Sequence, residues 1–157
     1  MKSSTAIKIT KADVVEKARE YLGTPFAHQG RVKGHAMDCV GILLCVGNAL
    51  GLKDKLGVPI LKDDNKNYSA QPLNNFVHEE CQRRLIEKPI TAMQEGYAIT
   101  MQAGSAFACH AGIVSENGGA LYVIHAYNGG ARKVVEHIVD EKWMSRIVGV
   151  FSFPGVG

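Results

Sequence analysis

A chain of 157 residues, 46% hydrophobic and 21% charged, is about one domain's worth of sequence and can bury enough apolar surface to offset its ordering entropy, which excludes a disordered, collagen-like or low-complexity chain. Its 18 basic and 15 acidic residues leave a net charge of +3, far from the clustered basic stripe of a nucleic-acid binder, and no stretch approaches the roughly 20 apolar residues of a membrane span. Seventeen glycines, against about 11 in an average chain of this length, indicate tight turns and close backbone approaches.

The first ten residues carry lysines but no apolar signal core, so the chain reads as made without a secretory signal and cytoplasmic as synthesised. Cys39, Cys45, Cys81 and Cys109 are then expected to be free thiols. Neither linker nor internal repeat interrupts residues 1–157, which predicts a single domain.

Thr10 is a plausible N-cap for a first helix with Val14, Ala18, Tyr21 and Leu22 on one face, ended by Gly23 and stopped by Pro25. Residues 26–37 show no period and read as a loop. Asp38 then caps an almost wholly apolar helix that begins at Cys39 and ends at Gly51. Residues 53–72 are polar and turn-rich, a surface connection. A second amphipathic helix is expected from Leu73, with Phe76, Val77, Cys81 and Leu85 in register, closed by Pro89. Beyond it the period becomes that of strands: Tyr97 to Met101, Phe107 to Ser115, Leu121 to Tyr127, Lys133 to Ile138 and Ile147 to Phe153. Helices followed by a meander predict an α+β fold with an antiparallel sheet.

Cys39 stands where a nucleophile is placed, at the first turn of a buried helix, where unpaired N–H groups and the helix dipole favour thiolate and oxyanion. A thiolate needs a base, and the base needs an orienter. If Asn117-Gly118 forms a two-residue type I′ turn, residues 116 and 119 face each other, and running back along both strands brings His110 opposite His125 on one face. His28, His35, His78 and His137 read as structural or solvent-exposed, His28 being the likeliest exception. The spacing of Cys and His matches no zinc motif, no glycine-rich phosphate loop precedes a helix, and no cofactor is expected.

The strings YLGTPFAHQGR, MDCVGILL, CHAGIV and YVIHAY, with the closing RIVGVFSFPG, resemble the NlpC/p60 family of cell-wall cysteine peptidases, and within it the branch found in phage tails and prophages. The resemblance implies a papain-like α+β fold and hydrolysis of peptidoglycan stem peptides, typically between γ-D-glutamate and a diamino acid. It makes Cys39 the nucleophile, His110 the base and His125 the residue that orients the imidazole. Asp38 matches the acid that receives the stem's free amine. Arg31 and Lys33 are available for stem carboxylates, and His28 is a further substrate contact. Phe26 stands where many members carry tyrosine, Val40 where serine is common, and Glu95-Gly96 where Gly-Asp is usual. The partners implied are the stem peptide and phage-tail proteins. Two rivals stay open: an amidase, thioesterase or acyltransferase on the same fold, and a non-catalytic tail or wall-binding protein.

Overall fold

Residues 7–157 are described here by a computed structural model. Residues 1–6, part of the stretch read as lacking a signal core, lie outside the described residues. Helix α1 spans Lys11–Arg19 and starts with a reciprocal cap, in which the Thr10 hydroxyl accepts from the Asp13 amide and the Asp13 carboxylate accepts from the Thr10 amide. It buries Val14, Val15 and Ala18. The helix stops four residues before Gly23, yet Tyr21 is still buried. The segment read as a loop contains a short hairpin, β1 (Arg31–Val32) with β2 (Ala36–Met37), which leads directly into Asp38.

Helix α2 spans Cys39–Ala49 and is buried from Gly41 to Gly47. The Asp38 carboxylate accepts from the Gly41 amide at 2.8 Å, which satisfies one of the first-turn donors. A Cβ on Gly41 would collide with the Gly30 carbonyl oxygen and the Met37 sulfur, so a side chain here would push the helix start off the hairpin.

The connection that follows is pinned at a buried ion pair. Arg84 donates to Asp54 at 3.1 Å and to the carbonyls of Ile60 and Asp63, while Asp54 accepts from the Leu56 and Val58 amides. Helix α3 is Phe76–Arg84, three residues shorter at its start than the period suggested, and Leu73 is left 74% exposed. Its predicted last turn is instead a strand, β3 (Ile86–Lys88), which pairs with the final strand. Leu85 is already extended, so backbone pairing with the final strand overrides the weak helical continuation.

Strands β4 (Ala98–Met101), β5 (His110–Asn117), β6 (Ala120–Tyr127) and β7 (Lys133–Ile138) form the expected antiparallel meander. A short helix α4 (Glu141–Met144), capped by Asp140, follows β7. Strand β8 (Ile147–Ser152) does not extend the meander but inserts between β3 and β4. The insertion lets Val150 and Phe151 face opposite apolar clusters, Phe151 among the helices with Ile42, Val46, Ile113 and Ile124, and Val150 on the other side with Ile99, Met101, Val114 and Val123. Among the described residues, no helix is long and apolar enough to cross a membrane.

The β5–β6 turn differs from the expected one. Asn117 pairs with Ala120, and Gly118 and Gly119 make the turn with φ of 60° and 83°, the left-handed values a type I′ turn needs at both positions. The register is displaced by two residues, an even number, so every side chain keeps its face. His110 and His125 are therefore diagonal rather than directly opposite. Continuing the register brings Gly112 beside His125, where a Cβ would lie 3.0 Å from His125 Cβ and 2.6 Å from Val123 Cγ2. Gly112→Ala is expected to cost about 1–3 kcal/mol through overpacking, read as a lower denaturant midpoint, and to lower activity by displacing His125.

Candidate active site

Three elements converge on a cleft of about 630 Å³ lined by Cys39 and Asp38 from the start of α2, by Cys109 and His110 at the start of β5, and by Lys66 to Ala70 from the connection. Cys39 is half-buried, and its Sγ lies 3.7 Å from the Cys109 carbonyl oxygen, its hydrogen-bond partner in the resting structure rather than the neighbouring His110 ring. Burial and the adjacent Asp38 carboxylate push the thiol well above its ordinary value. Desolvation of the charge thus opposes the thiolate that the helix terminus favours.

His110 and His125 meet as the sequence suggested. His110 Nε2 is 2.6 Å from His125 Nδ1, and both residues are buried, His125 completely. Tyr127 stacks on the His125 ring with centroids 5.2 Å apart, and Trp143 of α4 meets it edge-on. Burial, then the neighbouring His137, pushes His110 down to about 4. His125 is driven lower still by burial and by the two flanking imidazoles. Both shifts favour the neutral forms of the thiol and the imidazole, the direction that suits general-base attack.

His137 is where the structure departs furthest from the sequence reading. Its Nε2 lies 2.8 Å from His125 Nε2, and its Nδ1 lies 2.9 Å from the Ile138 carbonyl oxygen. Three histidines thus run in line across β5, β6 and β7. Their separations are hydrogen-bond lengths, since two nitrogens on one tetrahedral zinc would stand about 3.3 Å apart. The β6–β7 loop runs from Asn128 to Arg132, too long for the two-residue turn arithmetic that located His125, so nothing local revealed this partner.

Asp38 and Arg31 are brought together and bond to each other. One Asp38 oxygen accepts from the Gly41 amide and from Arg31 at 2.7 Å, and the other accepts from the Gln29 amide and the Tyr68 hydroxyl. These four bonds match the lone-pair capacity of a carboxylate. The Arg31 guanidinium also donates to both Asp64 oxygens, the Gly30 carbonyl and Tyr68. Tyr68, from the segment read as a plain surface connection, is the residue that sequence reasoning missed here; it sits in a polar run with no periodic signal. His28 lines the cleft edge-on to Tyr68 at 5.2 Å, and Phe26 lines it nearby. Lys33 lies 3.2 Å from Glu20 and over the Tyr21 ring, outside the cleft lining. Val40 lines a smaller apolar cavity with Phe76 and Phe153.

No protein-family model and no curated protein matches the sequence. Solved structures do match. A Bacillus cereus NlpC/P60 family protein aligns over 94% of this chain with a TM-score of 0.65 at 15% identity. A Staphylococcus aureus lipoprotein-like protein of the NLP/P60 family aligns over 97% with a TM-score of 0.57 at 14% identity. The fold is the papain-like NlpC/P60 fold. The chain spans 41% and 45% of those two proteins' lengths, but 100% of the NlpC/p60 domain of the peptidoglycan hydrolase SagA, which it matches over 92% of its own length with a TM-score of 0.57 and 18% identity. At these identities the likeness establishes the NlpC/P60 architecture, and the chemistry rests on the side chains described above.

The buried histidines give stability a pH dependence. An unfolded histidine has a pKa near 6.5, whereas folded His110 resists protonation down to about 4. Between those values the unfolded chain binds the proton that the fold excludes, so stability is full above pH 6.5 and falls as pH drops toward 4. For His110 alone the loss is on the order of 3 kcal/mol. Denaturant midpoints at pH 7.5 and 4.5 check this; the expected acid destabilisation should shrink in His110→Gln, and equal midpoints in the wild type would contradict it.

Proposed function

We propose that the protein is a cell-wall hydrolase, a cysteine endopeptidase acting on peptidoglycan stem peptides at the bond between γ-D-glutamate and the diamino acid. The observation that carries this reading is the meeting in one cleft of a helix-start cysteine and a buried histidine whose second nitrogen is held by another histidine at 2.6 Å. The SagA domain, whose whole length the chain matches, comes from a peptidoglycan hydrolase, which supports the substrate class.

In the proposed reaction the thiol turns from the Cys109 carbonyl toward His110. As Cys39 Sγ attacks the scissile carbonyl carbon, its proton passes to His110 Nδ1. The oxyanion meets the Cys39 backbone N–H, a first-turn donor that no helix carbonyl can reach. Collapse breaks the C–N bond, and His110 Nδ1–H protonates the leaving amine. Water then gives a proton to the same nitrogen as its oxygen attacks the thioester, and Cys39 leaves as the thiol. His28 and Lys66 at the cleft are suited to stem carboxylates. Asp38 and Arg31 act one step back: their mutual pairing holds Tyr68 and the turn at Gln29 against the helix start.

The bond is tested by mass spectrometry of L-Ala-γ-D-Glu-diaminopimelate and of purified sacculi after incubation with the protein. Release of the diamino acid, with L-Ala-γ-D-Glu left behind, is expected. Scission between the lactyl group and L-Ala would replace the endopeptidase with an amidase. No release from either substrate would overturn the wall-hydrolase reading.

A further inference from the structure

We infer that His137 is a positioning residue for this site, which, with the Ile138 carbonyl at its end, fixes the proton on every histidine in the line and leaves His110 Nδ1, the nitrogen not held by His125, with a free lone pair. The inference rests on the reading of Cys39 and His110 given above.

A row of neutral imidazoles can carry its protons in either direction, because each ring has one donor and one acceptor nitrogen. The far end removes that freedom. A carbonyl oxygen only accepts, so the 2.9 Å contact with Ile138 places a proton on His137 Nδ1. In the neutral ring, His137 Nε2 is then an acceptor. The 2.8 Å contact requires His125 Nε2 to donate, which leaves His125 Nδ1 as an acceptor. The 2.6 Å contact in turn requires His110 Nε2 to donate. His110 Nδ1 is left unprotonated, the state a general base must have.

A proton added to His137 Nε2 reverses every step. His125 would then accept at Nε2 and donate from Nδ1, and His110 would accept at Nε2 and carry its proton on Nδ1, unable to take one from Cys39. His137 is half-buried rather than sealed. It is faced by His125 from β6 and by the Trp143 ring of α4, with Arg146 lying 4.7 Å over the other partner of that stack, Trp143 itself. The acid beside it in sequence, Glu136, bonds instead to Ser115 and Arg19. The line thus couples the protonation of a partly exposed ring to the base state of a buried one.

Two variants separate positioning from packing. His137→Gln offers an amide oxygen near the place of Nε2 and cannot become an imidazolium, whereas His137→Leu fills the space without an acceptor. With the stem tripeptide, His137→Leu is expected to lower kcat about 10–100-fold with KM little changed, the size typical of an outer partner that orients a site histidine. His137→Gln should restore most of the rate and extend activity to lower pH than the wild type. A purely structural residue would move neither the pH profile nor the Gln/Leu contrast. The proton positions are read independently of any substrate by ¹⁵N NMR of the histidines: at pH 8 the wild type should show His110 protonated on Nε2 only, and His137→Leu should show a mixture. His110 protonated on Nδ1 in the wild type, or His137→Leu matching the wild type in both tautomer and kcat, would overturn the inference. If the tripeptide is not cleaved at all, the reading of the substrate fails while the NMR result still decides the proton arrangement.

Discussion

Cys39→Ala is expected to lower turnover of the stem peptide by about 10⁴-fold or more, the scale on which enzymes lose rate when the attacking atom is removed. The remaining cleft thiol, Cys109, does not replace it. Burial raises that thiol as well, and Cys109 lies just before β5, next to His110, not at a helix start with free amides. Cys45 and Cys81 are buried in the apolar core. Because Cys39 is only half-buried and the change removes a single sulfur, the denaturant midpoint should move little. Steady-state rates and a melt on the same samples check both halves: a large loss of rate with folding intact is expected.

Asp38→Ala is expected to destabilise the fold by about 2–3 kcal/mol, because it removes a helix cap and leaves a largely buried cation without its nearest partner. Asp38 is 3% exposed and holds four donors from three separate segments: the Gly41 amide at the start of α2, the Gln29 amide and Arg31 from the preceding loop and hairpin, and the Tyr68 hydroxyl from the long connection. Loss of the cap alone is worth about 1 kcal/mol. Arg31 keeps Asp64, which places the total short of a fully orphaned charge. Asp38→Asn retains oxygen acceptors and should fall between. Urea unfolding measures the series; a loss below about 1 kcal/mol in Asp38→Ala would show that the junction is not the structural tie described here.

What the sequence showed and what it hid divide along physical lines. The caps at Thr10 and Asp38 are local chemistry, a hydroxyl or carboxylate three residues before the amide it accepts from, and both formed as read. The strands of the meander were legible because alternation and Gly-rich turns are local too. The His110–His125 contact survived an incorrect turn because the displacement was even, which kept both side chains on one face. The failures are all nonlocal. Strand β3 exists because β8 crosses back to pair with it. Tyr68 reaches Asp38 across 30 residues of chain with no pattern. His137 joins His125 only through the β6–β7 register, which a five-residue loop leaves open. The helix-start position of Cys39 was legible, but its packing against β5 was not, and that burial raises the thiol against the helix-start effect.

The account turns on Cys39 forming the bond to substrate, and acid-quench mass spectrometry of the working enzyme tests that most directly. Wild type mixed with L-Ala-γ-D-Glu-diaminopimelate, quenched during turnover and digested, should carry the L-Ala-γ-D-Glu acyl group on the peptide containing Cys39, and the adduct should vanish in Cys39→Ala together with activity. An acyl group found on another residue, or full turnover by Cys39→Ala, would contradict it.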